Sequence, residues 1–545
     1  MNELRGLRIH INGIVQGVGF RPFVFGLAED LSLKGWVRNT TAGVEIEIDG
    51  STRQLDRFLQ ALEHDPPPLA QIDSVRVADR SPDSSRDFRI LRSDAAAAGF
   101  LPISPDVSIC EDCLEELFDP RDHRSRYPFI NCTNCGPRFT IIKDVPYDRP
   151  LTTMAPFEMC PVCSAEYHDP RDRRFHAQPV ACPDCGPRIK LSLTDDGPPD
   201  HARDDTWQED KALARAQTLL SSGKILAVKG LGGYHLACNA SDRAAVQLLR
   251  DRKHRPAKPL ALMMPDLETI REHCLVSPWD EELLTSLARP IVLLDKRASS
   301  PLPHELAPGQ GTLGVMLPYT PLHYLLFAPP EDGPAPDFQA LVMTSGNLSG
   351  NPIVISNQDA FSALGSIADA VLSSDREIHI HCDDSVTRAV QVPGEEREQS
   401  YPLRRSRGYA PFPILLAKPG PSLLGAGAEL KNTFCLSKEQ YAFLSQHIGN
   451  LTNYQTLQSY QRSIEHFEHL FRVEVEGLVC DAHPDYLSTR YARERAREQG
   501  LPLIEVQHHH AHIAACLAEH RIVPEQPVIG LAFDGTGYGD DGRIW

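Results

Sequence analysis

The chain has 545 residues, 41% of them apolar and 23% charged, with a formal net charge of −18. That length exceeds one hydrophobic core and predicts three or four domains. The acidity weighs against a general nucleic-acid binder, which grips phosphates with Lys and Arg, and no apolar run approaches the roughly 18 residues of a membrane span.

The N-terminal "MNELRGLRIHING" is charged and alternating, unlike a signal-peptide core, which predicts a cytoplasmic protein. Residues 1–92 read as a small α/β unit. Leu7, Ile9 and Ile11 alternate with polar residues, as do Val44, Ile46 and Ile48, the period of half-buried strands. Helical patterns come next in "RPFVFGLAEDL" and "STRQLDRFLQALEH", and "QIDSVRVAD" and "RDFRIL" close the unit. The order predicts a ferredoxin-like β-α-β-β-α-β sandwich.

"GIVQGVGFRPFV" sets Gly13, Gly17 and Gly19 ahead of Arg21 at a helix start. A cation there opposes the macrodipole by about 0.3–1 kcal/mol, a cost that a bound anion offsets. Glycine N–H groups, a helix N-terminus and an arginine together make a phosphate cradle. "VQGVGFR" followed by "GWVRNT" resembles the acylphosphatases across nearly the whole unit. The resemblance implies that Arg21 binds the phosphate and that Asn39 orients the attacking water.

After a linker-like "RSDAAAAGFLPISPD", residues 106–190 hold eight of the fourteen cysteines. The spacing C-x2-C-x18-C-x2-C occurs twice, with 24 residues between. In a reducing cytosol such clusters bind metal more often than they form disulfides, and four thiolates in a closed tetrahedron suit structural zinc. The expected ligands are Cys110, Cys113, Cys132 and Cys135, then Cys160, Cys163, Cys182 and Cys185. Pairing within each repeat is simpler, but an interleaved pairing satisfies the same spacing. Leu114, Leu117, Phe118, Phe129 and Ile130 are too few apolar residues for an independent core in the first repeat, so metal binding of about 10–16 kcal/mol is expected to fold it. Arg121, Arg124, Arg171, Arg173 and Arg174 are expected to offset the thiolate charge.

"TDDGPPDHARDD" marks a second boundary, after which helical and strand patterns alternate over residues 205–410. Lys229, Lys253, Arg255, Lys258, Thr344, Ser345, Asn347, Arg404, Arg405 and Arg407 gather at strand ends and turns, a supply of cations and donors suited to ATP with Mg2+. "KHRP" followed by "PL", then "TSGNLSG", resembles the YrdC/TsaC domain, which implies carbamate adenylation with Lys253, Arg255, Ser345 and Asn347 on the nucleotide.

In residues 421–545, "VQHHHAHIAACLAEH" puts His508 and His512 one helical turn apart, a two-histidine metal geometry. "LLGAGAELKNTFCLS", the histidine pair and "LAFDGTGYGDDG" resemble the TsaD-like carbamoyl-transfer domains of the actin-like ATPases. That implies a divalent metal on His508 and His512, and nucleotide phosphate near Asp534 and Gly535. Such domains have two lobes, and the sequence ends at Trp545 where the second is expected, the pattern of a truncated chain.

The fold class is therefore multidomain α/β: a ferredoxin-like acylphosphatase unit, a double four-cysteine zinc module, a YrdC-like domain and part of an actin-like ATPase domain. In this order the modules resemble the HypF carbamoyltransferases of nickel–iron hydrogenase maturation. The resemblance implies carbamoyl phosphate and ATP as substrates, and the C-terminal cysteine of HypE as acceptor. A tRNA threonylcarbamoyl-transfer enzyme and a zinc-dependent nucleic-acid-binding regulator are the alternative readings.

Overall fold

The computed structural model describes residues 4–40, 43–67, 69–83, 87–91, 103–194, 207–331, 333–394, 398–535 and 537–545. Residues 92–102 of the expected first linker, and 195–205 of the second boundary, lie outside them.

The first unit runs β1 (Leu4–Ile14), α1 (Phe20–Asp30), β2 (Lys34–Thr40), β3 (Gly43–Ser51), α2 (Thr52–His64), β4 (Gln71–Arg80) and β5 (Phe88–Ile90). Its sheet order is β4-β1-β3-β2-β5, with β5 a short strand added parallel to β2. The alternation read from sequence is real: Ile9, Ile11, Ile46 and Ile48 are all fully buried. A capping box at Ser51 and Gln54 starts α2, which turns Leu55, Phe58 and Leu62 onto the same core.

The two cysteine repeats carry one short helix each, Glu111–Phe118 and Pro161–His168, starting directly after Cys110 and Cys160. Leu117, Phe129 and Ile130 are buried, but in a cluster that continues into the neighbouring domain through Ile189, Leu213 and Tyr319. The repeats thus lack a private core, as their composition predicts, and borrow one.

That neighbour is an 11-stranded mixed sheet. Its central strands include Leu226–Lys229, Tyr234–Asn239, Leu341–Ser345 and Ala370–Ser374. The strand Ile189–Leu193, at the end of the second repeat, pairs antiparallel with Ala370–Ser374 and so joins this sheet. The last domain has a five-stranded sheet whose first strand, Pro413–Gly420, pairs with Cys435–Leu444.

Candidate functional site

The glycine loop before α1 forms the floor of a cavity that opens to solvent. Gly17 and Gly19 take positive φ of 68° and 75° there, which glycine adopts without steric cost. Gln16 donates to the Thr40 and Gly43 carbonyls at 2.8 Å each, tying the loop to the β2–β3 hairpin. Arg21 and Asn39 both line this cavity. With its oxygen toward the guanidinium, the Asn39 amide accepts from Arg21 Nε and Nη2 at 3.1 and 3.3 Å. Burial lowers the Arg21 pKa from its usual value, and the negative charge of Asp148, then Tyr167, opposes that shift.

The roof of the cavity was invisible in the sequence. Thr133, Arg138, Tyr147, Asp148, His176 and Gln178 of the cysteine module close over the loop. Arg138, from the first "CGPR", donates through Nε to the Gly17 carbonyl at 3.1 Å and through its other nitrogens to Thr133, Cys135 and Pro137 carbonyls at 2.8–2.9 Å. The cavity is therefore shared between two modules that sequence patterns separate.

Within each repeat the four thiol sulfurs lie within 4.8 Å of one another, so the clusters are Cys110/Cys113/Cys132/Cys135 and Cys160/Cys163/Cys182/Cys185. The geometry resolves the pairing in favour of each repeat by itself. The arginines act across the module. Arg124 of the first repeat donates to Cys163 Sγ at 3.2 Å, to Glu166 Oε1 at 2.9 Å and to the Ala181 carbonyl at 2.8 Å, all in the second. Reciprocally, Arg174 pairs with Glu116 and donates to the Asn131 carbonyl at 3.2 Å, while Arg173 donates to Cys113 Sγ at 3.2 Å. Positively charged donors against thiolates fit a metal-loaded cluster, whose excess negative charge they offset. Arg121 and Arg171 do not join them: Arg121 pairs with Asp119, and Arg171 lies 3.6 Å from Glu29 of the first unit.

In the large sheet, Lys253 donates to the Ser345 and Asn347 carbonyls at 2.7 Å each and to Asn347 Oδ1 at 2.8 Å. Ser345 Oγ donates to the same Oδ1 at 2.9 Å. Lys253 of the K-x-R pair thus meets both residues of the S-x-N pair, far away in the chain, while Arg255 donates to the Lys258 and Pro259 carbonyls. Burial, with help from Arg255, pushes the Lys253 ammonium down to about 7, against the pull of Asp383. Arg404 lies near enough to Arg255 to lower its pKa further. Thr344 is buried in the strand beside them, and Lys258 is exposed.

Three expected cations fall elsewhere. Arg405 is spent on the Leu444, Tyr409 and Phe412 carbonyls, closing the joint to the last domain. Arg407 is buried, bonded to Asp384 at 2.6 Å and lying over the Tyr319 ring at 3.4 Å. Both arginines brace neighbouring segments through these protein acceptors. Lys229 donates to Asn357 Oδ1 at 2.6 Å and the Ser374 carbonyl at 3.0 Å, and lines a second cavity of about 550 Å³. Gly136 and Pro137 of the first "CGPR" form part of that cavity's wall. Burial, then Arg376, lowers Lys229 to about 8.

In the last domain, helix His508–Glu519 begins where the pattern predicts. Asp534, expected on a nucleotide, lies instead with both imidazoles: its Oδ2 is 2.8 Å from His508 Nε2 and 3.3 Å from His512 Nε2. Asp481, unmarked in the sequence, lies 2.5 Å from His508 Nδ1. A carboxylate behind a ligating histidine is the usual support of a metal site, so two histidines and Asp534 fit a divalent cation. Gly535 stands in open space beside it.

Family models match the chain in the same order: acylphosphatase over residues 7–90, HypF finger over 109–142 and 159–192, Sua5/YciO/YrdC ("telomere recombination") over 218–403, and HypF Kae1-like domain over 418–519. Carbamoyltransferase HypF2 of Cupriavidus necator is 48% identical, the match covering 99% of this chain and 66% of that protein. Carbamoyltransferase HypF of Synechocystis sp. is 46% identical, covering 99% and 67%. A crystal structure of full-length HypF in the phosphate- and nucleotide-bound form matches with a TM-score of 0.89 at 48% identity, over 100% of this chain and 68% of that one. The chain spans about two thirds of the length of the curated relatives it matches. With four modules in register and this identity along nearly its whole length, the chain belongs to the HypF carbamoyltransferase family.

Proposed function

We propose that the chain is the catalytic part of a cytoplasmic carbamoyltransferase that converts carbamoyl phosphate and ATP into an activated carbamoyl group for the C-terminal cysteine thiolate of HypE. The observation that carries the reading is the Arg21/Asn39 cavity, an anion cradle roofed by the cysteine module, in the same chain as the Lys253–Ser345–Asn347 cluster.

Carbamoyl phosphate binds with its phosphate on the Gly17–Gly19 loop and Arg21, and Asn39 orients a water that attacks the acyl phosphate. The products are carbamate and inorganic phosphate. Carbamate decomposes readily in water, so its release would waste it. The carbamate oxygen then attacks the α-phosphate of ATP, held by Lys253, Arg255, Ser345 and Asn347, giving carbamoyl-adenylate and pyrophosphate. A thiolate attacks the carbamoyl carbon and AMP leaves; sulfur is the better nucleophile at neutral pH than a hydroxyl. Zinc on the two four-cysteine clusters would fix the module that roofs the first cavity, and Mg2+ would accompany ATP. A divalent ion on His508, His512 and Asp534 would supply a positive charge in the transfer domain.

The wall formed by Gly136, Pro137 and Arg138 borders both the Arg21 cavity and the Lys229 cavity, which supports an enclosed route for the intermediate. AMP formation by this chain that depends on carbamoyl phosphate, and stops in Arg21→Ala, is the expected result. AMP formation driven by threonine and bicarbonate instead would overturn the reading in favour of tRNA threonylcarbamoylation.

A further inference from the structure

The Arg21 cavity has two chemically different ends. Its floor is made for phosphate: backbone of the glycine loop, the α1 N-terminus and Arg21. Its roof holds an acid, Asp148, and a cation, Arg138, whose hydrogens are already engaged. Arg138 spends its five N–H donors on five protein carbonyls. His176 is held down to about 4, first by burial and then by Arg21, and is neutral at physiological pH. Gln178 Oε1 accepts from Tyr167 at 2.9 Å and from the Arg149 N–H at 2.7 Å, and its nitrogen donates one hydrogen to the His176 carbonyl at 2.9 Å, so its oxygen is already taken.

Among the described residues lining the cavity, Asp148 is the only acid. A carboxylate beside a phosphate site repels the ligand it should attract, unless it faces the other end of that ligand. Carbamoyl phosphate differs from acetyl phosphate at that end alone, where NH2 with two donors replaces CH3. We propose that Asp148 accepts a hydrogen bond from the carbamoyl amino group and selects carbamoyl phosphate over other acyl phosphates. The specificity of the acylphosphatase unit then resides in the cysteine module, outside the unit that performs the hydrolysis. A methyl group in the same place leaves the carboxylate without the donor it faces, and such a mismatch is the strongest source of discrimination between isosteric substrates.

This inference rests on the acyl-phosphate reading of the Arg21 site, and the test separates the two. Initial rates of phosphate release from carbamoyl phosphate and acetyl phosphate are compared for this 545-residue chain, for Asp148→Ala and for Asp148→Asn. The chain is expected to prefer carbamoyl phosphate by at least about tenfold in kcat/KM. Asp148→Ala should abolish most of that preference, its kcat/KM falling much further on carbamoyl phosphate than on acetyl phosphate, and circular dichroism reports folding. Asp148→Asn, which keeps an acceptor oxygen, should retain much of the preference. If Asp148→Ala slows both substrates equally, the carboxylate serves only to balance Arg21 and the proposal fails. Equal rates on both substrates in the unaltered chain also overturn it. Hydrolysis of neither substrate by the unaltered chain overturns the acyl-phosphate reading, and this inference with it.

Discussion

In the first cysteine repeat the arginine of "CGPR", Arg138, is buried and reaches the Gly17 carbonyl in the phosphate cradle. Its counterpart fifty residues later, Arg188, has a side chain 55% exposed, and its backbone N–H is held by Asp375 of the large sheet at 2.7 Å. The residue next in the chain after each arginine accounts for the difference. Phe139 is buried against Phe467 of the last domain, with ring centroids 5.7 Å apart, whereas Ile189 enters a strand paired to Ala370–Ser374. The first repeat is thereby a joint between the anion site and the last domain, and the second is the entry to the large sheet. Duplication supplied two similar metal-folding frames; the chain on either side decided what each one holds.

The cross-braces between the repeats define the largest effect. Cys132→Ser should lose the first metal and, through Arg124–Glu166 and Arg174–Glu116, weaken the second by tenfold or more; Cys182→Ser should do the converse. Metal content by mass spectrometry and chelator competition checks this, and an unaffected partner site would mean that the repeats fold independently. Next, Arg138→Ala should cost about 2–4 kcal/mol, because it strands buried carbonyls, and should slow acyl phosphate hydrolysis at least tenfold. Arg188→Ala should stay within about 0.5 kcal/mol. Urea denaturation and phosphate release distinguish the two, and equal costs would erase the contrast.

Arg124→Ala should then loosen the metal of the repeat it does not belong to, by about 10–100-fold, the usual consequence of removing an outer partner of a ligand. Competition with a chromogenic chelator reads it. The smallest effect lies away from both repeats. Lys253 is depressed to about 7 by burial, so between that pH and 10.5 the unfolded chain binds more protons than the folded one and stability rises with pH. Nucleotide phosphates favour the charged form, so binding takes up a proton and affinity falls above about pH 7, by at most about tenfold per pH unit. Calorimetry in buffers of different ionisation enthalpy measures the uptake, which finger substitutions should leave unchanged.

Much of the fold was legible because its signals are local. The alternation of Ile9 and Ile11, the glycines before Arg21, the two C-x2-C spacings and the i, i+4 histidines each need only a few neighbouring residues. The clustering of Lys253 with Ser345 and Asn347 was legible through family resemblance. Asp148, Asp481 and the approach of Asp534 to the histidine pair were not, since a single carboxylate carries no spacing pattern. The same limit applies to the arginines, where Arg404, Arg405 and Arg407 look alike in "YPLRRSRGYAP". Only the fold shows that Arg405 reaches the Leu444 carbonyl and Arg407 the Asp384 carboxylate.

By itself, then, the sequence determined the modules, their order and the residues with chemistry in them, because periodicity, glycine placement and ligand spacing are properties of short segments. Tertiary structure alone decided that the anion cavity has a roof from another module, that each repeat shields the other's thiolates, and which cations remain available to a ligand. Those depend on contacts between residues tens to hundreds of positions apart, where free energy comes from burial and pairing that no local pattern records.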